Sequence, residues 1–520
     1  MISKQDVLPP KKARILIIGA GATGTGLARD LALRGLPSTV VDRHTLNSGA
    51  SGANHGLLHS GARYVHSDAE SAAHCYEENQ VLRRVAPRCI EQTGGLYVAV
   101  EGDDENYVAD FPDMCKRCGI PTRPLHVAEA RAIEPELSNK AIAVYAVPDA
   151  TVDPFTLSID NMNHACSMGA QLLTNSRVVG FHKKNSRITS ATIVDSRTGS
   201  SHSIEVDEVI NAAGAWSGNV AALAGVPLAI VYSKGTLIVS QRRLASMVIN
   251  RLRKPSNADI VVPGGIVSVL GTTSLRVDGP DSVSPTTSEV DTIIDETSAM
   301  LPALASSRFL RAFSGVRPLV SDKNDAGDDR AVSRDISVFD HVRDGVENFV
   351  TVTGGKLTTY RQMAEKAADV VCYHLGVFAK CVTRTEPLPS SSAWSLPGEP
   401  PRAWSRASNT ADQILCECEL VPQSAVDTVV ERIRNQGGHP DLSEIVSRSR
   451  VAKGACQGSF CGYRVLAHLA ENGHLAGSDG LEQLRSMLQE RWKGQRVVAF
   501  HDQLRQIELL EAVYRAGLGA

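Results

Sequence analysis

Residues 15–64 read ILIIGAGATGTGLARDLALRGLPSTVVDRHTLNSGASGANHGLLHSGARY, and the first ten of them decide the architecture. Ile15 to Ile18 is an unbroken apolar run of the kind carried by a parallel strand buried on both faces. Gly19, Gly21 and Gly24 follow as G-x-G-x-x-G leading into a helical pattern. Each glycine has a steric task. The first permits the tight turn, the second lets a pyrophosphate approach the backbone, and the third lets helix and strand pack closely. A helix beginning at Ala22 points unpaired N–H groups and a partial positive charge at the phosphates. A second run, Ser38 to Val41, ends at Asp42, close to the roughly 20-residue offset expected of an acid that hydrogen-bonds a ribose hydroxyl. Arg43 stands at the same edge. Strand, helix, strand and terminal acid in that order predict an α/β nucleotide-binding unit.

The continuation narrows the nucleotide. With a diffusible NAD the α/β winding would normally resume after Asp42, but residues 48–56, SGASGANHG, are small and hydrogen-bonding instead. Such a loop suits close wrapping of a bulky cofactor, with Ser51 and His55 among its polar contacts. Asn211-Ala-Ala-Gly214 ends another predicted buried strand and offers a further close backbone approach. Thr353-Gly354-Gly355 marks a strand-to-helix step that would aim a helix N-terminus at one edge of a flavin, where reduction places negative charge; Lys356 follows it. FAD is the cofactor these features predict. No second complete G-x-G-x-x-G is present, so NAD(P)H is not the expected reductant and electrons enter or leave by another way.

Composition sets the outer limits. The chain has 520 residues, 21% charged and 42% hydrophobic, with a net charge of −3. That is an ordinary soluble balance, long enough for several domains, with nothing to attract nucleic acid. No run of about 18 apolar residues suggests a membrane span, and the polar start MISKQDVLPPKKAR has no signal-peptide core, so the expected location is cytoplasmic. Eleven cysteines in that setting are expected as reduced thiols, most of them small core residues. Cys115 and Cys118 form C-x-x-C, a spacing that a helix also produces without any function.

Residues 1–13 read as a flexible tail and 14–382 as one oxidoreductase unit. Within it Val178 to Phe181, Ser190 to Asp195 and Ser203 to Val206 predict a β-meander, and Gly235 to Ser240 with Ile260 to Thr273 predict a substrate-capping sheet. Residues 383–410 are a Pro/Ser-rich linker. Cys416 and Cys418 (C-x-C) and Cys456 and Cys461 (C-x-x-x-x-C) place a small metal domain at 411–466, and 467–520 is a helical C-terminal region. Four thiolates in two pairs meet the ligand count of a 2Fe-2S cluster. Zinc also takes four thiolates, though its pairs usually leave two to four residues between ligands; a site without metal is the third reading. The stretch is similar to bacterioferritin-associated-ferredoxin-like domains, many of which close with C-x-x-C.

Taken with INAAGAW, VDPF, KGTLIV, INRLRKPSNADI, GTTSLR, FSGVRPLV, TGGKLTTYR, LCECE, GACQGSFC and ERWKG, the opening segment resembles the FAD-dependent glycerol-3-phosphate dehydrogenase family across nearly the whole chain, and its anaerobic A subunits above all. The resemblance implies a glutathione-reductase-like FAD domain with an inserted antiparallel β-sheet substrate domain of the D-amino-acid-oxidase type. It also implies oxidation of sn-glycerol 3-phosphate to dihydroxyacetone phosphate. Companion electron-transfer and membrane-anchor subunits, quinone as the indirect acceptor, and a peripheral position on the inner face of the cytoplasmic membrane come with it.

Arg63 in HSGARY and Arg317 in SGVRPL match the family positions that clamp substrate phosphate, a role suited to the planar guanidinium. Tyr64 could donate to substrate, and Lys356 could touch substrate or neutralise reduced flavin. His55 and His59 are the candidate bases, since imidazole titrates near neutrality. His59 lies in the matching motif and His55 could instead contact FAD. Oxygen-linked relatives often carry a histidine after K-G-S, where this chain has Lys234-Gly235-Thr236-Leu237, so the base stays unassigned. Two other readings compete: a related flavin dehydrogenase acting on an amino acid, opine or 2-hydroxy acid, and a non-catalytic flavin/Fe-S relay subunit.

Overall fold

The computed structural model describes residues 12–281, 283–320, 336–389, 411–436, 438–475 and 477–518. The expected tail up to residue 11 and the linker from 390 to 410 lie outside them. The strand Lys12–Ile18 runs through the middle of an eight-stranded sheet, parallel to Thr39–Val41 on one side and to Ser201–Asn211 on the other. Phe349–Gly354 extends the parallel part beyond Ser201–Asn211, and Gln171–Leu173 extends it beyond Thr39–Val41. Two-sided burial explains the unbroken apolar run. Ile15 and Ile17 face a core shared with the helices Ala22–Leu33, Pro154–Ser167 and Tyr360–His374. Leu16 and Ile18 face the opposite core, where Val178, Ile188, Ala191 and Ile193 of the antiparallel meander pack. At about 1.5–3 kcal/mol for each large apolar side chain removed from water, the run strongly favours this central position.

A nine-stranded sheet forms the second layer of the same unit. Its order is Leu275–Val277, Val231–Ser240, Val267–Gly271, Ile260–Gly264, Val248–Arg251, Gly95–Val100, Ala141–Val147 and Arg123–Leu125, with Phe309–Leu319 also beside Val231–Ser240. Two expectations change here. The run Ile260 to Thr273 is a hairpin that turns at Gly265, whose φ is +63°, and not one strand. The capping sheet also takes strands from residues 95–147, and Val248–Arg251 joins Gly95–Val100 in parallel, so the insertion is discontinuous and not wholly antiparallel.

The chain after residue 411 forms a small hairpin, Ile414–Cys416 with Val421–Pro422, and then helices including Gln423–Asn435, Cys461–Glu471, Gly477–Gln495 and Asp502–Leu518. One core runs through it, from Leu415, Val426 and Ile433 to Leu484, Trp492 and Tyr514. The unit also grips the cap. Val498 joins the cap core, and the Gln503 side chain donates to the Phe309 carbonyl at 2.7 Å. Among the described residues no helix is long and apolar enough to cross a membrane.

Candidate functional site

The dinucleotide turn opens a cleft of about 610 Å³ between the two sheets. Gly19 has φ +109°, open to glycine at little cost, and a Cβ on Gly24 would lie 1.9 Å from the Gly19 carbonyl oxygen. Strand and helix therefore meet as closely as the motif predicts. Ser51 reaches back from the wrapping loop, its hydroxyl accepting the Ala22 N–H at 3.0 Å, and its Oγ stands where a Gly21 side chain would be. Asp42 accepts the N–H of Ala20 at 2.7 Å and of His44 at 2.9 Å, and burial raises its pKa.

Arg43 is held in place by two neighbours, stacking 4.1 Å over Trp216 and pairing with Asp281 at 3.0 Å. Trp216 donates to the same carboxylate at 2.9 Å. This wall was not singled out from the sequence, although INAAGAW contains the tryptophan. Gly214, Gly354 and Gly355 line the cleft with Gly19, Gly21, Ala22, Asp42, Arg43, Ser51 and His55. The step after Gly355 differs in detail from the expectation: a 3-10 turn, Leu357–Thr359, separates the glycines from the helix Tyr360–His374.

The residues proposed for substrate line this same cleft: His59, Arg63, Tyr64, Arg317 and Lys356. Arg63 comes from the turn after HGLLH and donates to the buried Asp259 at 3.0 Å and the Ser256 carbonyl at 3.1 Å. Burial works against its charge, but Asp259 together with Tyr97 and Tyr64 more than offsets that and raises its pKa. Arg253 shares Asp259 at 2.9 Å. Asp259 sits inside INRLRKPSNADI; the signal that could have found it is that a buried arginine needs a carboxylate. Arg317 arrives on Phe309–Leu319 and donates to the Thr273 carbonyl at 3.3 Å and to the Thr272 hydroxyl, so GTTSLR supplies its seat. Lys356 lies 4.4 Å from the centre of the Tyr64 ring and donates to Ser71 Oγ at 3.1 Å.

The two histidines are neighbours, with ring centroids 6.0 Å apart, and Tyr64 stands 5.4 Å from His59. Burial, reinforced by Arg317 and Arg63, pushes the His55 pKa down to about 3. His55 Nδ1 accepts the Leu57 N–H at 3.3 Å, which in a neutral ring leaves the proton on Nε2. His59 donates its backbone N–H to Thr358 Oγ1 at 3.1 Å.

The C-terminal cysteines are brought together. The Cys461 thiol is in hydrogen-bonding contact with Cys416 and Cys456, and Cys456 also with Cys418. The contacts with Cys461 and Cys418, together with the N–H groups of Gly458 and Phe460, lower the Cys456 pKa to about 5 despite burial. The Cys461 thiol, as partner to both Cys416 and Cys456, is pushed up. No set of three or more His, Cys, Asp or Glu side chains among the described residues is arranged to hold a metal ion. Cys115 is buried on the helix Glu105–Arg117, where desolvation raises its thiol pKa to about 12.

A family model described as FAD dependent oxidoreductase matches residues 14–364. The chain is 40% identical over 528 residues to the A subunit of the anaerobic glycerol-3-phosphate dehydrogenase of Escherichia coli (strain K12), covering 97% of this chain and 96% of that protein. It is 37% identical to the A1 subunit of the Haloferax volcanii anaerobic glycerol-3-phosphate dehydrogenase, covering 97% and 90%. The glycerol-3-phosphate dehydrogenase of Bacillus halodurans, solved with FAD, has a similar fold, with TM-score 0.58 at 18% identity, covering 97% of this chain and 95% of that one. Glycine oxidase from Geobacillus kaustophilus matches 70% of this chain and 95% of its own, with TM-score 0.57 at 18% identity.

Proposed function

The chain belongs to the FAD-dependent oxidoreductases and, among them, to the family of the anaerobic glycerol-3-phosphate dehydrogenase A subunits; from that premise we propose that it oxidises sn-glycerol 3-phosphate to dihydroxyacetone phosphate. The observation that carries this reading is that Arg63 and Arg317, from opposite parts of the chain, line the cleft that the dinucleotide turn opens. Gly19, Gly21 and Ala22 leave backbone room for a pyrophosphate, Asp42 and Arg43 hold the nucleoside end, and Ser51, His55, Gly214, Gly354 and Gly355 wrap the rest. Bound FAD supplies the hydride acceptor at N5.

The chain's own groups then bind and orient. Arg63 and Arg317 take the phosphate through charge-assisted hydrogen bonds, which fixes the C2 carbon of the substrate over the cofactor. Tyr64 and Lys356 border the same space and help to polarise the alcohol. His55, with its proton on Nε2, presents a donor to the cleft. The proton-accepting role therefore falls to His59, which takes the hydroxyl proton as the C2 hydrogen leaves with its electron pair.

Cys416, Cys418, Cys456 and Cys461 are the ligands of a 2Fe-2S centre in this reading. Their spacing and the thiol-to-thiol contacts that link all four support it, although the thiols are not arranged around a metal ion among the described residues. Such a centre gives a two-electron donor a one-electron exit towards companion subunits and, through them, membrane quinone. Phe460 and Tyr463, 61% and 50% exposed beside Cys461, offer those subunits an apolar landing point. Attachment to the inner face of the membrane would then be peripheral.

The test is anaerobic bleaching of the bound flavin. Glycerol 3-phosphate is expected to bleach it, and glycine, proline or lactate are not. Bleaching by a carboxylate substrate instead, or by none, overturns the assignment. Absorption and electron-spin spectra of the anaerobically purified protein read the metal separately, and a colourless zinc-loaded site would end the cluster reading.

A further inference from the structure

Beside the seat of Arg317, one carboxylate collects hydrogen bonds from three separate parts of the cap. Glu289 stands in the first turn of the helix Thr287–Ser298, 4% exposed and absent from the lining of the cleft. Its Oε2 accepts the Lys234 ammonium at 2.8 Å, the Thr286 N–H at 3.1 Å and the Thr286 hydroxyl at 3.0 Å. Its Oε1 accepts two further hydroxyls, from Thr236 at 2.8 Å and from Thr273 at 2.9 Å. Lys234 and Thr236 belong to KGTLIV on the strand Val231–Ser240, and Thr273 belongs to GTTSLR.

The bonds at Oε2 are those of a helix N-terminus. Thr286 and Glu289 form a capping box, which glutamine can also serve, and Lys234 balances the buried charge. The bonds at Oε1 add nothing to that cap, and both lead to Arg317. Thr273 offers its carbonyl to the guanidinium at 3.3 Å, and its hydroxyl oxygen also accepts the Thr236 N–H at 2.9 Å. Thr236 gives its one hydroxyl proton to Glu289, so the Ser314 hydroxyl donates to it at 2.8 Å from the strand Phe309–Leu319, which carries Arg317. Glu289 Oε1 therefore ties the loop at residues 272–274 to Val231–Ser240 and, through Ser314, to the strand of Arg317 itself. Burial works against the Glu289 charge, but hydrogen bonds from Lys234, Thr236 and Thr273 more than offset it and hold its pKa below the ordinary value. The oxygen stays an acceptor for both threonines.

We propose that Glu289 is a positioning residue for the substrate anion: through Thr273 and Thr236 it fixes the loop at residues 272–274, and so the direction in which Arg317 presents its guanidinium to the cleft. This rests on the anion-binding role proposed above for Arg317. Glu289 makes no bond to substrate or flavin, and no proton or electron passes through it. A guanidinium already held in place binds an anion more tightly than a mobile one, because less side-chain freedom is lost on binding.

The experiment uses the full-length protein loaded with FAD. Anaerobic bleaching of the flavin is followed against substrate concentration, which separates the half-saturating concentration from the limiting rate. Thr273→Val removes the hydroxyl that joins Glu289 to the loop. It is expected to raise the half-saturating concentration about tenfold while the limiting rate stays within about threefold of the parent. Thr273→Ser keeps the hydroxyl and is expected to keep the parental figures. Glu289→Leu combined with Lys234→Met removes both charges together, so that no ion is stranded in the cap, and is expected to give the same tenfold rise. Thr286→Ala breaks the helix cap alone, and is expected to lower Tm while the half-saturating concentration stays parental. In an Arg317→Ala background Thr273→Val is expected to add almost nothing. The positioning role is overturned by a parental half-saturating concentration in Thr273→Val, by full additivity with Arg317→Ala, or by a rise in Thr286→Ala as large as in Thr273→Val. The substrate is glycerol 3-phosphate, or the carboxylate that bleaches the parent in its place. A carboxylate substrate overturns the phosphate assignment alone, and the same variants then decide the role of Glu289 on that anion; a parent bleached by no anion overturns both.

Discussion

Replacing Gly235 by alanine is a sharp way to disturb the proposed phosphate clamp without removing a charge. Gly235 is buried in Val231–Ser240, opposite Gly315 on the neighbouring strand, and the Arg317 guanidinium lies across it. A Cβ at that position would stand 2.2 Å from Arg317 NH2, 2.6 Å from Cζ and 2.8 Å from NH1. Comfortable non-bonded contact needs about 3.5 Å, so the guanidinium must retreat by roughly 1 Å. The obstacle is the far end of a flexible side chain, so the strand pairing survives and the charge moves. A charged hydrogen bond is worth about 1.5–3 kcal/mol, so kcat/KM for glycerol 3-phosphate should fall by roughly 10- to 100-fold. Anaerobic stopped-flow bleaching against substrate concentration measures it, with flavin content and Tm as controls. In an Arg317→Ala background the same change should add almost nothing, because both act on one group. A variant that keeps its flavin and retains kcat/KM within about twofold of the parent would refute the clamp, as would full additivity with Arg317→Ala.

Other substitutions test separate parts of the argument. Gly24→Ala puts a methyl 1.9 Å from the Gly19 carbonyl oxygen, and the chain should purify without flavin; normal flavin content would show that the turn can yield. Glu78 and Arg361 form an ion pair with side chains 1% and 3% exposed, joined at 2.5 Å and 2.8 Å. Glu78→Ala removes the buried partner of Arg361 and leaves it Glu365 at 2.8 Å and Thr383 at 3.1 Å, so urea unfolding should show a loss of about 3 kcal/mol, the low end for breaking a buried pair; a loss under about 1 kcal/mol would mean that water reaches the site. His55 is held to a pKa of about 3 by burial, Arg317 and Arg63, against 6.5 when unfolded. Between those values the unfolded chain binds a proton that the folded chain refuses. This stability contribution is therefore complete above pH 6.5 and is lost as pH falls towards 3. Flavin-free protein should lose stability with acid more steeply than His55→Gln, and parallel curves would sink the assignment.

Much of the fold was legible because its signals are local. Ile15 to Ile18 had to be buried on both faces, and Gly19 and Gly24 had to meet, whatever the rest of the chain did. The meander was legible for the same reason, its alternating strands lying close together in sequence. The capping sheet was not. Gly95–Val100 and Val248–Arg251 pair in parallel across some 150 residues, and no local period announces such a partner. The turn at Gly265 went unread although Pro263-Gly264-Gly265 interrupts the apolar residues of 260–273 and is itself a turn signal.

The site divides along the same line, between chemistry that one residue type implies and partners that only the fold supplies. Two arginines and two histidines could be picked out because their motifs, HSGARY, SGVRPL and the loop before HSGARY, resemble those of the family and carry side chains suited to phosphate and proton transfer. What orients them could not. Arg63 depends on Asp259 and Arg317 on Thr272 and Thr273, each brought in from a loop of the cap beside the hairpin at residues 260–271. The proposed choice between the histidines turns on one backbone N–H, that of Leu57, which His55 Nδ1 accepts. The cap is thus more than a lid: the loops that flank its strands supply the carboxylate, the hydroxyl and the carbonyl that hold both guanidinium groups towards the cleft. A change of specificity within this fold should therefore work through the seats of the arginines in INRLRKPSNADI and GTTSLR, even where the arginines themselves are kept.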